Sequence, residues 1–159
     1  MLKTKVLFVC LGNICRSPMA EFVLRDLAQQ AGCAQMVETA SAGTSGWHNG
    51  EDMHAGTRAE LVAHHILPNG FVSSQVRASD ADDYDYIVAM DDHNMAELAR
   101  LFGPSRLHRV HKLTDWLGNC QYDHVPDPYF TGDFRETWHI VSGACSALLA
   151  DIQTRCQSR

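Results

Sequence analysis

Apolar and polar positions along the chain follow two patterns, one typical of strands and one typical of helices, which alternate along the sequence. Continuous apolar runs at Val6–Val9 and Tyr86–Met90 are typical of strands covered on both faces. Weaker strand patterns fall at Met36–Ala42, Ser74–Val76 and Leu107–Leu113. Apolar residues at helical spacing predict helices over Pro18–Ala31, over His54–Ile66, from Asp91 or Asp92 to Phe102, and from Asp133 onward.

Strands that alternate with helices predict an α/β fold with a parallel sheet and right-handed crossovers. The chain has 159 residues and contains no linker or internal repeat, so we expect a single domain over residues 1–159. In such sheets ligands bind beyond the carboxyl ends of the strands. Cys10 directly follows the first apolar run, so we expect the chemistry of this protein at that point.

The segment between the first strand and the first helix has the composition of a tight loop. Its pair Gly12–Asn13 tolerates unusual backbone angles, including positive φ. Ser17 and Pro18 predict a helix start, with Ser17 as the N-cap and Pro18 at the first helical position. Cys10 then lies at the end of the strand, and Arg16 lies at the start of the helix.

This placement predicts an anion site with a nucleophile beneath it. Backbone N–H groups of a loop that leads into a helix bind anions, helped by the helix dipole. Thiols at helix N-termini or beside cations ionise readily, with pKa values of roughly 3.5–7.5. The guanidinium of Arg16 presents two donors in one plane to phosphate oxygens. A buried structural Cys10 with a surface Arg16 is the plain alternative, and the loop composition favours the phosphate site.

One stretch of the chain resembles the signature loop of the low-molecular-weight protein tyrosine phosphatases: Cys10-Leu-Gly-Asn-Ile-Cys15-Arg16-Ser17-Pro18. The resemblance extends over nearly the whole chain. It implies a three-layer α/β sandwich, with helices on both sides of a four-stranded parallel sheet of flavodoxin-like order 2-1-3-4. It also implies hydrolysis of protein phosphotyrosine and aryl phosphate monoesters through a phosphocysteine, without a metal or other cofactor. The expected partners are a phosphotyrosine-bearing protein substrate and, as inhibitors in the loop, inorganic phosphate or other oxyanions.

The general acid of this reaction is expected at Asp127. Pro126 and Pro128 stiffen the backbone on both sides of it, and the family has its acid in the same Asp-Pro-aromatic-aromatic motif. The Cys10 thiolate would attack phosphorus while Asp127 protonates the departing phenolate. The ionised Asp127 would then take a proton from the water that attacks phosphocysteine. An Asx-type turn is the alternative use of an Asp-Pro pair.

The resemblance assigns roles to further residues around this centre. The phosphate-binding loop is expected to comprise Leu11, Gly12, Asn13, Ile14, Cys15, Arg16 and Ser17. The walls of the substrate pocket are expected at Leu11, Trp47, Tyr129 and Phe130. Asn13, Ser17 and Ser41 are expected to support the loop through hydrogen bonds, and Ser17 also to contact the Cys10 thiolate. Cys10 and Cys15 are expected to form a reversible disulfide that protects the nucleophile from over-oxidation.

The chain departs from the family pattern at three positions. Phe71 stands where many relatives have a histidine that extends the network of Asn13 and Ser41. Ser74 stands where they have an arginine, and Phe130 replaces a frequent second tyrosine. We therefore expect packing to replace part of the hydrogen-bonded support, with lower activity if it holds the loop less well.

Composition excludes several other classes of function. The formal net charge is -6 with a pI near 5.8, and no block of Lys and Arg occurs, which argues against nucleic-acid binding. No apolar run approaches the roughly 20 residues that span a bilayer. Six cysteines without the density of a secreted scaffold indicate a cytoplasmic protein. His108 with His111, and Cys120 with His124, are single pairs without a matching second pair, so no metal site is expected.

Two other functions remain open at this point. An arsenate reductase on a similar fold would use Cys10 against arsenate and then a thiol cascade, for which Cys120, Cys145 and Cys156 are available late in the chain. Asp127 and its aromatic neighbours have no purpose in that chemistry. A phosphotyrosine-binding module without catalysis is the other alternative, although binding alone needs neither Cys10 nor Asp127.

Overall fold

The centre of the computed structural model, which describes residues 3–118 and 122–157, is a four-stranded parallel sheet. Its strands are β1 (Thr4–Cys10), β2 (Val37–Gly43), β3 (Tyr86–Ala89) and β4 (Val110–Lys112). They lie in the order β2-β1-β3-β4, and each neighbouring pair is parallel. The expected strand order 2-1-3-4 is confirmed.

Helices connect and cover these strands. Those of the described residues are α1 (Arg16–Gln30), α2 (Ala55–Ala63), α3 (Asp80–Asp83), α4 (Asp92–Phe102), α5 (Pro128–Thr131) and α6 (Phe134–Gln157). α1 and α6 pack against each other, and α2 contacts both of them. None of these helices is long and apolar enough to cross a lipid bilayer.

Successive residues of β1 point to opposite faces of the sheet, as the period of a strand requires. Val6 and Phe8 belong to a core cluster that includes residues of α1 and α6. Leu7 and Val9 belong to a second cluster that includes residues of α4. Since helices cover both faces, β1 is apolar from Val6 to its end at Cys10, and the three-layer α/β sandwich is confirmed.

The start of α1 differs from the prediction. The helix begins at Arg16 rather than Pro18, and its N-cap residue is Cys15, which makes no side-chain capping bond. Ser17 is buried in the first turn and its hydroxyl contacts Cys10, so the prediction that Ser17 is the N-cap is wrong. A helix end without a side-chain cap leaves backbone N–H groups for an anion, which is what this position requires.

Two weaker strand predictions also change. Around Ser74–Val76 the structure has only an isolated bridge from Gln75 to Gly43. The strand expected over Leu107–Leu113 shortens to β4. The prolines and aromatics between Gln121 and Phe134 predict a long ordered loop, but the structure has the single-turn helix α5 there. Gln121 itself and Cys120 lie outside the described residues.

The buried side of α2 is not the one that the sequence pattern indicated. Helical spacing in the sequence predicts a buried face made of Ala55, Ala59, Val62, Ala63 and Ile66. Ile66, beyond the end of α2, is buried as expected, but the other four residues are exposed. Thr57 and Leu61 are fully buried instead. Because α2 has only nine residues, it contacts its neighbours through residues four positions apart, Thr57 and Leu61. The alanines on its exposed side have the same spacing as a buried apolar face, which misled the prediction.

This assignment predicts opposite outcomes for two adjacent residues of α2. Leu61→Ala leaves a cavity in the core and should lower the free energy of unfolding by about 2–5 kcal/mol. Val62→Ala, at a side chain that is 47% exposed, should change it by less than about 0.5 kcal/mol. Urea unfolding of both variants measures this, and a larger loss for Val62→Ala would contradict the orientation of α2.

Candidate active site

The candidate site lies at the carboxyl edge of the sheet, where β1 ends. Cys10 is the last residue of β1 and Arg16 is the first residue of α1, so a loop of five residues separates them. Both side chains are almost fully buried, and both line one pocket together with Asp127. The three residues predicted to carry the chemistry are thus brought together from two distant parts of the chain.

The loop after Cys10 has its carbonyl groups tied to donors on its outer side. The segment after β2 provides two of these donors: the Thr44 amide donates to the Cys10 carbonyl at 2.8 Å, and the Ser45 amide donates to the Leu11 carbonyl at 2.9 Å. In a trans peptide the next N–H points opposite to the carbonyl. The amides of Leu11 and Gly12 therefore point away from these donors, towards the concave side.

Three further carbonyls of the loop are held in the same way, by donors that come from elsewhere in the chain. They are Asn13, bonded by the Ser73 hydroxyl at 2.7 Å, Ile14, bonded by the His54 amide at 2.8 Å, and Cys15, bonded by the Thr57 hydroxyl at 3.0 Å. Since none of the peptide bonds among the described residues is cis, the amides that follow point inward. The concave side of the loop is thus a cup of N–H groups at the N-terminus of α1, which suits an anion.

Asn13 has the backbone conformation that the sequence suggested, with φ of 55° in the left-handed region. Its fully buried side chain holds this conformation. The Nδ2 group donates to the hydroxyls of Ser17 at 2.9 Å and Ser41 at 3.0 Å. Its Oδ1 accepts from the Ser74 backbone amide at 2.9 Å. Position 74 contributes only its backbone N–H to the last contact, so the serine found there makes it as well as an arginine would.

The Ser17 hydroxyl lies 3.0 Å from the sulfur of Cys10. Since it accepts the hydrogen bond from Asn13, its own proton is free to point to Cys10 Sγ or, at 3.5 Å, to the Ala42 carbonyl. Against a thiolate, which only accepts, the hydroxyl donates. This is the contact that the family resemblance implied.

The support of Asn13 continues through Ser41 to a buried carboxyl group. The Ser41 hydroxyl donates to Glu21 at 2.6 Å, and Arg25 donates to the other carboxyl oxygen of Glu21 at 2.7 Å. Burial raises the pKa of Glu21, and the bonds from Ser41 and Arg25 offset this only in part. The network therefore continues through Glu21 to Arg25, which also donates to the Thr39 hydroxyl at 3.2 Å, and it includes no hydrogen bond from position 71.

Phe71 packs rather than bonds. Its ring meets the ring of Phe22 edge-on, with centroids 6.2 Å apart, and it lies against the main core cluster. The guanidinium of Arg25 lies over the ring of Phe22, 4.6 Å from its centroid. Packing was expected to replace part of the hydrogen-bonded support of the loop, but Asn13 keeps its hydrogen bonds to Ser17 and Ser41, and Phe71 packs on Phe22.

Arg16 is fixed from the side of the sheet by Asp91, the residue that follows β3 and Met90. Its Nη1 donates to Asp91 Oδ2 at 2.7 Å and to the Val125 carbonyl at 3.0 Å. The other oxygen of Asp91 caps α4 by accepting from the Asn94 amide at 2.8 Å. The Arg16 side chain, 3% exposed, therefore has one fixed orientation at the bottom of the pocket.

The charges of Arg16 and its neighbours keep both Arg16 and Asp91 ionised. Burial alone would lower the pKa of Arg16, but the neighbouring Cys10, Asp127 and Asp91 raise it above its usual value. Burial alone would raise the pKa of Asp91, but the bonds from Arg16 and from the Asn94 amide outweigh it, and that pKa lies below its usual value. The cation at the bottom of the pocket is therefore permanent at neutral pH.

Asp127 lies at the mouth of the pocket, as the N-cap of α5. Its Oδ1 accepts from the Tyr129 amide at 3.1 Å, and Pro128 occupies the first position of the helix. Its Oδ2 lies 3.4 Å from Arg16 Nη2. The turn geometry that was the alternative for this Asp-Pro pair is thus present, and it orients the second oxygen towards the phosphate loop.

Aromatic side chains form the upper walls of the pocket. Trp47, Tyr129 and Phe130 all line it, and they are 77%, 57% and 76% exposed. Large apolar side chains that remain this exposed around a charged pocket are available to a ligand. Leu11 lines the pocket too, so all four predicted wall residues are brought together.

The predicted phosphate-binding residues divide into two groups. Those that line the pocket are Leu11, Gly12, Ile14, Cys15 and Arg16. Asn13 and Ser17 lie behind the loop, fully buried, and support it from there. Cys15 is also buried, and burial, with the nearby Cys10 and Asp127, raises its pKa to about 12.

Sequence reasoning missed several residues of the site. His48 lines the pocket, and its only signal was its place beside Trp47. Asp91 was interpreted as a helix cap alone, although its position at the carboxyl edge of β3 could have suggested contact with the site. Glu21 gave no signal, because a carboxylate in the first helix looks like any solvated residue.

The histidine pairs do not form a metal site in the described part of the chain. No group of three or more His, Cys, Asp or Glu residues that could hold a metal ion occurs in residues 3–118 and 122–157. His111 instead packs beside the rings of Tyr86 and Trp116, which also contact each other. The pair of Cys120 and His124 lies partly outside the described residues.

The chain is similar to known proteins over nearly its whole length. The family model described as "Low molecular weight phosphotyrosine protein phosphatase" matches residues 5–158. The low molecular weight protein-tyrosine-phosphatase YfkJ of Bacillus subtilis is 43% identical over 152 residues, which are 96% of this chain and 97% of the relative. PtpA of Staphylococcus epidermidis is 39% identical over 91% of this chain and 90% of its own.

Solved structures agree with these relatives. The crystal structure of YfkJ superposes with a TM-score of 0.95 at 42% identity, and covers 98% of each chain. A protein tyrosine phosphatase from Entamoeba histolytica, with Hepes in the active site, has a TM-score of 0.90 at 32% identity, over 96% of this chain and 98% of its own. With a matching fold, a matching family model and the phosphatase loop in place, the chain belongs to the low molecular weight phosphotyrosine protein phosphatase family.

Proposed function

We propose that this protein-tyrosine phosphatase hydrolyses phosphotyrosine and other aryl phosphate monoesters through a phosphocysteine at Cys10. The observation that supports this most is the convergence of Cys10, Arg16 and Asp127 on one pocket, under a loop whose amides face inward. These groups supply a nucleophile, charge neutralisation and a proton donor, which is what a phosphate monoester needs. Because Arg16 and the loop amides neutralise the phosphate, the mechanism requires no metal.

The first step transfers the phosphoryl group to sulfur. The Cys10 thiolate attacks phosphorus while the bond to the phenolic oxygen breaks, and Asp127 gives its proton to that oxygen. The carboxyl is then ionised, the phenol leaves, and phosphocysteine remains. The equatorial oxygens bind to the loop amides and to Arg16, whose orientation Asp91 and the Val125 carbonyl hold.

The second step restores the enzyme. Asp127, now a carboxylate, takes a proton from a water molecule as the water oxygen attacks phosphorus and the bond to Cys10 breaks. The thiolate that leaves is stabilised by the Ser17 hydroxyl, 3.0 Å away. Inorganic phosphate is released, and phosphate or another oxyanion is expected to inhibit the enzyme by occupying the same loop.

The aromatic walls account for the preference for aryl esters. Trp47, Tyr129 and Phe130 stand above the loop and form an aromatic slot. A substrate places its phosphate in the loop at the bottom, and the group next to the ester oxygen then lies in the slot. A phosphotyrosine ring fills this slot, whereas a phosphoserine leaves it empty. The expected partner is therefore a protein that presents phosphotyrosine.

We also infer a single phosphatase domain in the cytoplasm. The whole described chain contributes to one sheet and its covering helices. The five described cysteines are all free thiols, which fits a reducing compartment.

The late cysteines fit the arsenate reductase alternative poorly. Cys145 is fully buried between helices, where burial raises its pKa far above the usual value. Cys156 lies beside Thr4, at the opposite edge of the sheet from Cys10. Neither thiol is placed to take over an oxidised group from the loop, and Cys120 lies outside the described residues. A pure binding module would need neither Cys10 nor Asp127.

Two substitutions test the proposed chemistry. With p-nitrophenyl phosphate in the presence of a chelator, Cys10→Ser should abolish turnover, and Asp127→Ala should lower kcat/KM by about 10²–10⁴-fold because the proton donor is lost. Cys156→Ser and Asp83→Ala are matched controls at the far edge of the sheet and should behave as wild type. Turnover that survives Cys10→Ser, or that the chelator removes, would contradict the mechanism.

We further propose that Cys15 forms the reversible disulfide with Cys10. After peroxide treatment, a thiol reductant should restore most of the wild-type activity. Cys15→Ala should be inactivated irreversibly, because the Cys10 sulfenic acid then has no neighbouring thiol to condense with and excess peroxide oxidises it further to sulfinic acid. Equal recovery of both proteins, measured as kcat/KM after reduction, would exclude this role of Cys15.

A further inference from the structure

His54 connects the two loops that the proposed mechanism brings together, although it does not line the pocket in the described part of the chain. Its backbone N–H donates to the Ile14 carbonyl of the phosphate loop at 2.8 Å. As the N-cap of α2, it also accepts with Nδ1 from the Gly56 amide at 2.9 Å. Because Nδ1 accepts this bond, the neutral ring has its proton on Nε2.

The ring of His54 faces the segment that contains Asp127. It stacks on Phe134, the first residue of α6, with centroids 4.9 Å apart and planes 26° apart. Its edge meets Tyr129 at 6.2 Å with planes nearly perpendicular. Tyr129 belongs to α5, whose N-cap is Asp127, and Phe134 lies three residues after the end of α5.

The lack of a side chain at Gly56 allows the Phe134 ring to lie close to α2. A methyl group at Gly56 would overlap the ring of Phe134, so the ring rests directly on the backbone of α2. The beginning of α6 therefore has one position relative to the first turn of α2. That same turn holds the Ile14 and Cys15 carbonyls through His54 and Thr57.

We propose that His54 is a positioning residue, whose ring sets the place of Asp127 relative to the phosphate loop through Tyr129 and Phe134. The inference rests on the proposed function, because it assumes that Asp127 is the proton donor. A displaced donor transfers its proton less well, and this loss is largest for substrates whose leaving group most needs the proton. The role of His54 is thus separable from a general effect on folding.

Two substitutions separate the ring contacts of His54 from its hydrogen bond with the Gly56 amide. His54→Asn keeps the backbone N–H and a side-chain acceptor for the Gly56 amide, but removes the ring. His54→Phe keeps a ring of similar shape but removes the acceptor. His64→Asn is the matched control, because His64 lies at the other end of α2 and stacks on Trp138, away from the pocket.

The experiment measures kcat/KM for a series of aryl phosphates from p-nitrophenyl phosphate to phenyl phosphate. His54→Asn should lose about tenfold on phenyl phosphate but less than about threefold on p-nitrophenyl phosphate, because the poorer leaving group depends more on the acid. His54→Phe should retain the wild-type dependence on the leaving group with a lower melting temperature. His64→Asn should match wild type in the kinetic series.

Equal losses of His54→Asn on all substrates, or a leaving-group dependence that His54→Phe does not restore, would overturn the inference. Asp127→Ala in the same series separates the two proposals. If its dependence on the leaving group is no steeper than that of wild type, the assignment of the acid fails. If it is steeper while His54→Asn equals wild type, only the role of His54 fails.

Discussion

The structure depends above all on the outward direction of the carbonyl groups in the loop between β1 and α1. Donors from three separate segments hold these carbonyls: Thr44 and Ser45 after β2, Ser73 further on, and His54 with Thr57 at the start of α2. Each bond fixes one peptide plane, and each fixed plane directs one N–H group inward. An anion site made of backbone needs this constraint more than it needs particular side chains within the loop, apart from Asn13 with its φ of 55°.

The same principle accounts for the position of Arg16. Its guanidinium binds Asp91 at the end of β3 and the Val125 carbonyl, and the Val125 amide donates to the Met90 carbonyl at 2.9 Å. The segment that leads to Asp127 is therefore attached both to the sheet and to the cation of the phosphate loop. A formal net charge of -6 is compatible with the proposed phosphate binding, because local groups within a few ångströms determine the field in the cup more than the distant surface charges do.

The sequence predicted the parallel sheet and the placement of Cys10 and Arg16 because strong local patterns coincide with the fold, whereas the strand order 2-1-3-4 was implied by the family resemblance. An apolar strand, a Gly-Asn loop and a Ser-Pro helix start are neighbours along the chain, so Cys10 and Arg16 could be placed together. What could not be predicted depends on contacts between distant segments. Glu21 supports Asn13 only because β2 brings Ser41 beside α1, and the core side of α2 depends on where α1 and α6 lie.

The phosphoryl group on sulfur is the central claim of this account, and trapping it is the most direct measurement. Wild-type enzyme would be mixed with excess p-nitrophenyl phosphate, quenched in acid within its first turnovers, and digested for mass spectrometry. The account predicts one phosphoryl group on the peptide that contains Cys10, absent from Cys10→Ser. Phosphorylation elsewhere, or burst-free turnover with an unmodified Cys10 peptide at every time point, would contradict it.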